Sequence, residues 1–336
     1  MKKIDIFSGF LGAGKTTLIK KLLKEAYAGE KVVLIENEFG QIGIDSGFLK
    51  ECGVQITEMN QGCICCSLVG DFSKALAQVL TDFAPDRILI EPSGVGKLSD
   101  VIRAVQGVVT EDVVLDSFTT VVDANKCKLY MKNFGEFFND QIEHARCIVL
   151  SHTDHISEEK LQACVAMLRE HNETATIVTT PWSALDGKQL TAAMEHTNTL
   201  ADELARMEHE HHEHHHGHHH HHHDQDECDD PDCDCHHHHH GHHHADDVFT
   251  SWGAETARKY TPDEIRRALE ALDETTYGTV LRAKGIVASV EGNWIHFDYV
   301  PGEPDVRTGA ADVTGRLCVI GAGLDKAAIA ALFGVN

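Results

Sequence analysis

The segment Gly9–Thr17 constrains the fold of this 336-residue chain more than any other part of the sequence. It reads GFLGAGKTT and matches the phosphate-binding pattern G-x-x-x-x-G-K-[ST]. An apolar run, Ile4–Phe7, precedes it, and a run with helical spacing, Thr16–Tyr27, follows it. Because glycines let backbone N–H groups wrap around phosphates at the start of a helix, this order predicts one strand–loop–helix unit of an α/β domain.

Further β-branched runs alternate with helical patterns as far as about residue 180. The predicted strands are Lys31–Ile35, Arg87–Ile90, Thr119–Val122, Cys147–Leu150 and Thr176–Val178, and the predicted helices are Asp71–Thr81 and Ser157–His171. This alternation predicts a mostly parallel sheet with helices on both faces, whose ligands bind at the carboxyl ends of the strands. The aromatic residues within Phe134–Phe138 are expected in the core.

A second structured region is predicted from about Val248 onward. Thr261, Pro262 and Glu264 have the order of a helix cap, a first helical residue and a capping-box partner. Strand-like runs follow at Thr279–Arg282, Gly285–Val290, Trp294–Tyr299 and Leu317–Ile320, and a last helix is predicted at Asp325–Leu332. We therefore expect an α/β P-loop NTPase domain at residues 1–200, a linker at 201–247 and a small α+β domain at 248–336.

The predicted linker consists largely of His, Asp, Glu and Cys between residues 207 and 247. It has no apolar periodicity, so we expect it to be disordered in the absence of metal. Its histidine runs, His218–His223 and His236–His240, offer imidazole ligands for Zn²⁺, Ni²⁺ or Co²⁺. The tract is suited to capturing metal, and the alternative interpretation is a solvated spacer.

Charge and hydropathy bound the class of protein. A net charge of -24 and a pI near 5.4 argue against a nucleic-acid partner, because no basic patch is present to neutralise phosphates. No stretch approaches the roughly eighteen apolar residues of a membrane helix, so no membrane association and a cytoplasmic location are predicted. In that reducing compartment, the 11 cysteines are expected to be thiols or metal ligands.

The phosphate loop and one strand end predict the reactive half of a nucleotide site. Lys15 is expected to reach the outer phosphates and Thr16 to ligate Mg²⁺. Glu91 ends an apolar strand, where a carboxylate can support the magnesium ion from its second coordination shell. The remaining nucleotide-binding residues of the loop are predicted to be Gly9, Gly12, Ala13, Gly14 and Thr17.

Base selection is predicted from Ser151-His152-Thr153-Asp154, which follows a strand. In guanine-binding proteins an [NT]-K-x-D box lies here, and its Asp accepts hydrogen bonds from the N–H edge of guanine. Asp154 holds that place, and the imidazole of His152 can stack on a purine where the box has Lys. GTP is therefore favoured, although Ser151 and His152 leave the strictness of guanine selection open.

A thiol cluster predicts a metal site. Cys63, Cys65 and Cys66 lie within four residues, and thiolates at this density select Zn²⁺, Cu⁺ or similar ions. The spacing does not fix a fourth ligand, for which Glu38 is the best candidate because it follows the second predicted strand. Zinc is the first choice, with cobalt second and nickel also compatible.

Together these features resemble the CobW-type family of P-loop GTPases, which act as metallochaperones or metal-insertase factors. The resemblance rests on Ser8–Thr17, Asn37–Asp45, Gly62–Cys66, Glu91–Gly94, Asp123, the His-rich tract and Leu281–Gly285. It implies GTP hydrolysis involving Lys15, Thr16, Glu38 and Glu91, coupled to metal transfer from the cysteine cluster to a client metalloprotein. It also implies a switch segment that carries Glu38, and a nucleotide-dependent homodimer. It does not identify the client.

Two other functions compete with a metallochaperone. A metal-buffering or storage protein would use the His-rich tract and have an unlinked NTPase activity. A kinase would transfer phosphate to a small molecule, but the sequence shows no acceptor-binding signature, and the cysteine cluster would then have no role.

Overall fold

The computed structural model describes residues 1–36, 55–58, 69–195 and 249–335. Residues 2–178 of this range build a seven-stranded parallel sheet in the order β3-β2-β4-β1-β5-β6-β7. Its strands are β1 Lys2–Gly9, β2 Val32–Glu36, β3 Gln55–Glu58, β4 Arg87–Glu91, β5 Val113–Asp123, β6 Cys147–Ser151 and β7 Thr176–Val178. The helices of this part are α1 Lys15–Glu25, α2 Val69–Asp82, α3 Leu98–Gln106, α4 Cys127–Glu143, α5 Glu158–His171 and α6 Gly187–Met194.

The predicted α/β class is confirmed, with helices on both faces of the sheet. Along β1, Ile4 and Ile6 face one apolar layer that includes residues of α2, α3, α4 and α5. Phe7 faces the opposite layer, which α1 and α6 cover. This alternation follows from the two-residue period of a strand, and it buries the parallel strands on both sides.

The predicted strands and helices of this region are present, and further elements join them. The run Thr119–Val122 is only the end of β5, an eleven-residue strand. The strand β3 and the helices α3, α4 and α6 were not predicted. The expectation that the aromatic run of α4 lies in the core is right for Phe138 and wrong for Phe134, which is 46% exposed. Phe134 leaves the helical conformation, with φ −135 and ψ 29, and interrupts the face that the helix buries.

The second sheet has six strands, of which five follow the order β12-β11-β10-β13-β8, while β9 pairs with β10. Its strands are β8 Phe249–Thr256, β9 Lys259–Tyr260, β10 Thr279–Ser289, β11 Trp294–Val300, β12 Glu303–Gly309 and β13 Gly315–Ala322. The helices α7 Pro262–Ala271 and α8 Lys326–Phe333 share its apolar core. The predicted small α+β unit is therefore present, and Thr261 and Glu264 form the predicted capping box of α7.

Two details of this unit differ from the prediction. The predicted strands Thr279–Arg282 and Gly285–Val290 are one continuous strand, β10. Gly285 lies inside this strand. A β-carbon at this position would lie 2.3 Å from the ring of Phe297, so glycine makes room for an aromatic neighbour. Asp325 caps α8 through its side chain and is not the first helical residue.

The two sheets are joined just after β7. The backbone N–H groups of Thr179 and Thr180 donate to the carbonyl oxygen of Val313 at 3.1 and 3.3 Å. The hydroxyl of Thr180 donates to the carbonyl oxygen of Asp312 at 2.7 Å. These bonds attach the segment that follows the edge strand of the first sheet to the turn that precedes β13.

The predicted His-rich linker, residues 201–247, lies outside the described residues. Within the described part of the chain, no helix combines the length and apolar character needed to cross a membrane.

Candidate nucleotide site

The phosphate loop lies between β1 and α1, as predicted. Gly9 has φ +141, and a β-carbon at this position would lie 2.3 Å from the carbonyl oxygen of Val121 on β5. Gly9 is therefore required by the close approach of two backbones. Gly12 has φ +71 with no atom within 4 Å of a hypothetical β-carbon, so its conformation requires glycine although space is available. The loop thus reaches the N-terminus of α1 with its backbone accessible to an anion.

Lys15 is buried in this loop although it carries a charge. Its Nζ donates to the carbonyl oxygen of Gly9 at 2.9 Å and to that of Phe10 at 3.4 Å. The loop therefore places an ammonium group beside the N-terminus of α1, where outer phosphates are expected.

Thr16 and Glu91 meet across the sheet edge. The Thr16 hydroxyl lies 3.2 and 3.3 Å from the two carboxylate oxygens of Glu91. A hydroxyl and a carboxylate are hard oxygen ligands, which fit the predicted Mg²⁺ and its bound waters. Sequence reasoning proposed both residues separately, and the fold brings them together.

The loop after β4 packs directly on the phosphate loop. A β-carbon on Gly94 would lie 2.9 Å from the backbone nitrogen of Leu11 and 2.8 Å from its Cδ2. On the other side, the Nε2 of Gln141 in α4 donates to the carbonyl oxygens of Gly94 at 3.2 Å and Gly96 at 2.8 Å. Sequence reasoning missed Gln141, because nothing local to α4 indicates a contact with residues more than forty positions away.

The predicted base-binding end contains Asp154 together with residues that were not predicted. The Ser183 hydroxyl donates to Asp154 Oδ1 at 3.2 Å and so orients the carboxylate. The neighbouring Trp182 donates its indole N–H to the carbonyl oxygen of Leu150 at 2.9 Å, and its ring lies 3.3 Å from the β-carbon position of Gly14. The sequence could have indicated these two residues, because their turn follows the carboxyl end of the predicted strand β7, and ligands bind at that edge of a parallel sheet.

Ser151 and His152 take different roles at the end of β6. Ser151 is buried, and its hydroxyl donates to the carbonyl oxygen of Val122 at 3.3 Å, so it supports the sheet. His152 has φ +57 and is half exposed, with its Nε2 4.0 Å from Asp123 Oδ2. Its imidazole therefore remains accessible to a planar base.

A cation also lies near this end. Lys126 Nζ lies 3.5 Å from Asp123 Oδ2. The pKa of Lys126 is raised from its ordinary value, first by its electrostatic interaction with the hydroxyl of Tyr130 and then by its interaction with Asp123. Lys126 therefore stays protonated beside the predicted base-binding end.

The predicted metal ligands Cys63, Cys65, Cys66 and Glu38 lie outside the described residues and remain predictions. Within the described ranges, no group of three or more His, Cys, Asp or Glu side chains could hold a metal ion.

The strands β2 and β3, which precede the segments that carry Glu38 and the cysteines, end in register. Glu36, the last residue of β2, pairs with Glu58 at the end of β3 and with Glu91 at the end of β4. The chain therefore leaves the described part of β2 and β3 at the same edge of the sheet that carries Thr16 and Glu91.

Comparison with known proteins identifies the family. The family model for the CobW/HypB/UreG nucleotide-binding domain matches residues 3–179, and that for the cobalamin synthesis protein cobW C-terminal domain matches residues 249–335. The zinc chaperone CobW of a Sinorhizobium species is 35% identical over 187 residues, which cover 47% of this chain and 52% of that protein. The zinc chaperone YeiR of Escherichia coli is 30% identical over 191 residues, covering 56% and 58% respectively.

The chain spans about half the length of the curated relatives it matches. A solved structure of the Zn(II)-bound YjiA GTPase from E. coli covers 99% of this chain and 98% of its own, at 21% identity and a TM-score of 0.43. The family models match most of the chain, in the predicted order, and the chain belongs to the CobW/HypB/UreG family of nucleotide-binding proteins.

Proposed function

We propose that this chain hydrolyses GTP, and that its nucleotide state controls the affinity of Cys63, Cys65 and Cys66 for Zn²⁺, which is passed to a client metalloprotein. The observation that carries the proposal is the shared sheet edge. Glu91, which contacts Thr16, lies in register with the strand ends from which the chain runs toward Glu38 and the cysteines.

The described residues support GTP binding at both ends of the nucleotide. At one end the loop N–H groups and the Lys15 ammonium bind the phosphates, and at the other Asp154, held by Ser183, accepts from the guanine N–H edge. Thr16 would ligate Mg²⁺ directly and Glu91 through water, and the ion would supply positive charge as the phosphate bond breaks.

Coupling to metal follows from the short distances along the chain. Glu38 is the second residue after Glu36, and Cys63 is the fifth after Glu58. Because an extended chain spans at most about 3.5 Å per residue, these chain lengths limit how far the proposed metal ligands can lie from the edge that holds Glu91. A switch segment ordered by the terminal phosphate of GTP would then change the ligands available to zinc.

Zinc is the proposed cargo because three thiolates suit it, and because the curated relatives are zinc chaperones. If GTP and GDP change zinc affinity by a given factor, zinc changes the relative affinities for GTP and GDP by the same factor. A coupling of about 1.4 kcal/mol corresponds to about tenfold, which is enough to detect by competition with a chelator.

The test is a chelator competition for Zn²⁺ on the full chain, with Mg²⁺ and either a non-hydrolysable GTP analogue or GDP. We expect at least about a tenfold difference in zinc affinity between the two nucleotides. Cys65→Ala should remove the tight site while GDP still binds. Cys147→Ala, which changes a buried thiol of β6, is the matched control and should keep the site.

Equal zinc affinities with the two nucleotides would overturn the coupling. A variant lacking residues 207–247 then identifies the alternative. If deletion of that tract removes nearly all bound zinc, and Cys65→Ala removes little, the protein is a metal buffer with a separate NTPase activity.

A further inference from the structure

Gln141 is a fully buried polar residue that connects α4 to the phosphate side of the nucleotide site. Its Nε2 donates to the carbonyl oxygens of Gly94 and Gly96 at 3.2 and 2.8 Å. Its Oε1 is also buried and has no hydrogen-bond partner among the described residues. An unpaired buried oxygen costs about 1–3 kcal/mol, so the stability of the helix alone does not explain this carboxamide.

The loop that Gln141 holds is fixed on three sides. At its start, Glu91 accepts from the Thr16 hydroxyl. In its middle, Gly94 lies so close to the backbone of Leu11 that a single added carbon would clash. At its far side, Gly94 and Gly96 are tied to Gln141. Residues 91–96 therefore have little freedom to move relative to the phosphate loop while the Gln141 contacts persist.

Gln141 is itself held by neighbouring contacts. Its backbone oxygen accepts from the Thr120 hydroxyl at 2.6 Å, which ties α4 to β5. The preceding residue, Asp140, accepts from the backbone N–H and the hydroxyl of Ser99 at 3.1 and 2.6 Å. Two successive residues of α4 therefore hold the loop after β4 and the start of α3. Through these contacts, α4 can hold the loop after β4 and the start of α3 in a fixed position relative to each other.

We infer that Gln141 is a positioning residue for GTP hydrolysis, an inference that rests on the proposed GTPase function. It holds residues 91–96 where they would meet the terminal phosphate and the Mg²⁺ that Thr16 and Glu91 would hold. GDP lacks that phosphate, so Gln141 matters to GTP and to turnover but not to GDP binding.

The test compares kcat, KM and the affinities for GDP and a non-hydrolysable GTP analogue in the full chain. Gln141→Met keeps the length of the side chain and removes both polar atoms. Since misplacing a catalytic loop by about 1 Å costs up to about a hundredfold, we expect kcat to fall by about tenfold to a hundredfold. We expect the GDP affinity to stay within about twofold and the GTP-analogue affinity to fall.

Asn172→Leu is the matched control. Asn172 is another buried carboxamide, and its Nδ2 donates to the carbonyl oxygens of Ile142 and Ala145 at 2.8 Å each, at the end of the same helix. Among the described residues, its side chain forms no hydrogen bond with the loop after β4, so its loss should lower stability without changing the ratio of GTP to GDP affinity. If Gln141→Met fails to fold, Gln141→Asn retains the carboxamide one methylene too short to reach Gly94 and Gly96, and should show the same pattern at smaller size.

Each outcome is decisive. If the parent chain hydrolyses GTP and the kcat of Gln141→Met stays within about twofold of the parent value, Gln141 has no positioning role. The proposed GTPase function is then unaffected. A parallel loss of GDP affinity, or an equal effect of Asn172→Leu, also overturns the positioning role, because the role is then structural. If the parent chain does not hydrolyse GTP, the proposed function fails, and the ratio of GTP-analogue to GDP affinity still tests Gln141: an unchanged ratio overturns the inference.

Discussion

A buried ion pair between β1 and β4 offers a stability test whose size follows from the structure. Arg87 of β4 is 4% exposed, and its guanidinium contacts the fully buried carboxylate of Asp5 on β1. It also lies 2.7 Å from Glu30 and 3.5 Å from Asp116, and it stacks over the ring of Tyr27 at 4.2 Å. The perturbation is Arg87→Met, which keeps the length of the side chain and removes the charge.

Arg87→Met should lower the stability of the fold because it leaves the buried Asp5 carboxylate without its positive partner. Burial raises the pKa of Asp5 from 3.8 to about 6, and Arg87 is the largest of the effects that lower it. Without Arg87, the described residues leave Asp5 one hydrogen-bond donor, the Ser117 hydroxyl at 2.6 Å. We expect the free energy of unfolding of the first domain to fall by about 3–5 kcal/mol at pH 8.

The loss of stability in Arg87→Met should grow as the pH rises. A carboxyl group with a raised pKa in the folded state contributes stability that is complete below its unfolded pKa and is lost as the pH rises through the folded pKa. In the parent chain this loss ends above about pH 6, because the pKa of Asp5 is about 6. In Arg87→Met the pKa is higher still, so the loss continues. The difference between the two proteins should grow between pH 6 and 8 by up to about 2.7 kcal/mol, at about 1.36 kcal/mol per pH unit.

The assay is urea unfolding followed by the fluorescence of Trp182, in a background carrying Trp252→Phe and Trp294→Phe, so that only the first domain is observed. Adding Asp5→Asn to Arg87→Met should recover most of the loss and flatten its pH dependence.

Lys3→Met is the control. Lys3 shares the partners Asp116 and Glu195 with Arg87 but is 37% exposed, so it should cost less than about 1 kcal/mol. A loss below about 1 kcal/mol in Arg87→Met, or one that does not change between pH 6 and 8, would refute the reasoning.

Three further predictions concern the nucleotide site and the second domain. Asp154→Asn should weaken GTP binding by about a hundredfold and improve binding of xanthosine triphosphate, whose base offers an acceptor to the new amide, as a displacement titration can show. Gly94→Ala should lower kcat by about tenfold in a phosphate-release assay, because its β-carbon would lie 2.9 Å from the Leu11 nitrogen. Tyr299→Phe removes a hydrogen bond of 2.6 Å to Asp273 and should destabilise the second domain by about 1–2 kcal/mol in urea unfolding.

The sequence predicted the elements whose signals are local. The phosphate loop, the alternation of strands and helices, and the capping box of α7 each occupy a few consecutive residues, and the structure contains all of them. The placement of Glu91 beside Thr16 was also accessible, because parallel strands carry their ligands at one edge.

What the sequence did not predict depends on contacts between distant segments. Gln141 and Gly94 are 47 positions apart, and Ser183 and Asp154 are 29 apart, so no periodicity links them. The helix α4 was missed for a different reason. Its residue Phe134 leaves helical geometry in the middle of the segment, and the apolar spacing is broken there.

The place where the second sheet is attached determines which change at the nucleotide site can affect it. Thr179 and Thr180 are bonded to the turn before β13, and the next turn of the chain carries Trp182 and Ser183, which hold the proposed guanine end. Guanine is identical in GTP and GDP. Contacts at that end therefore distinguish a loaded protein from a nucleotide-free one but carry no information about hydrolysis. A proposed client that contacts only the second domain would respond to whether nucleotide is bound. A proposed client that responds to which nucleotide is bound would have to contact α4 or Gly94.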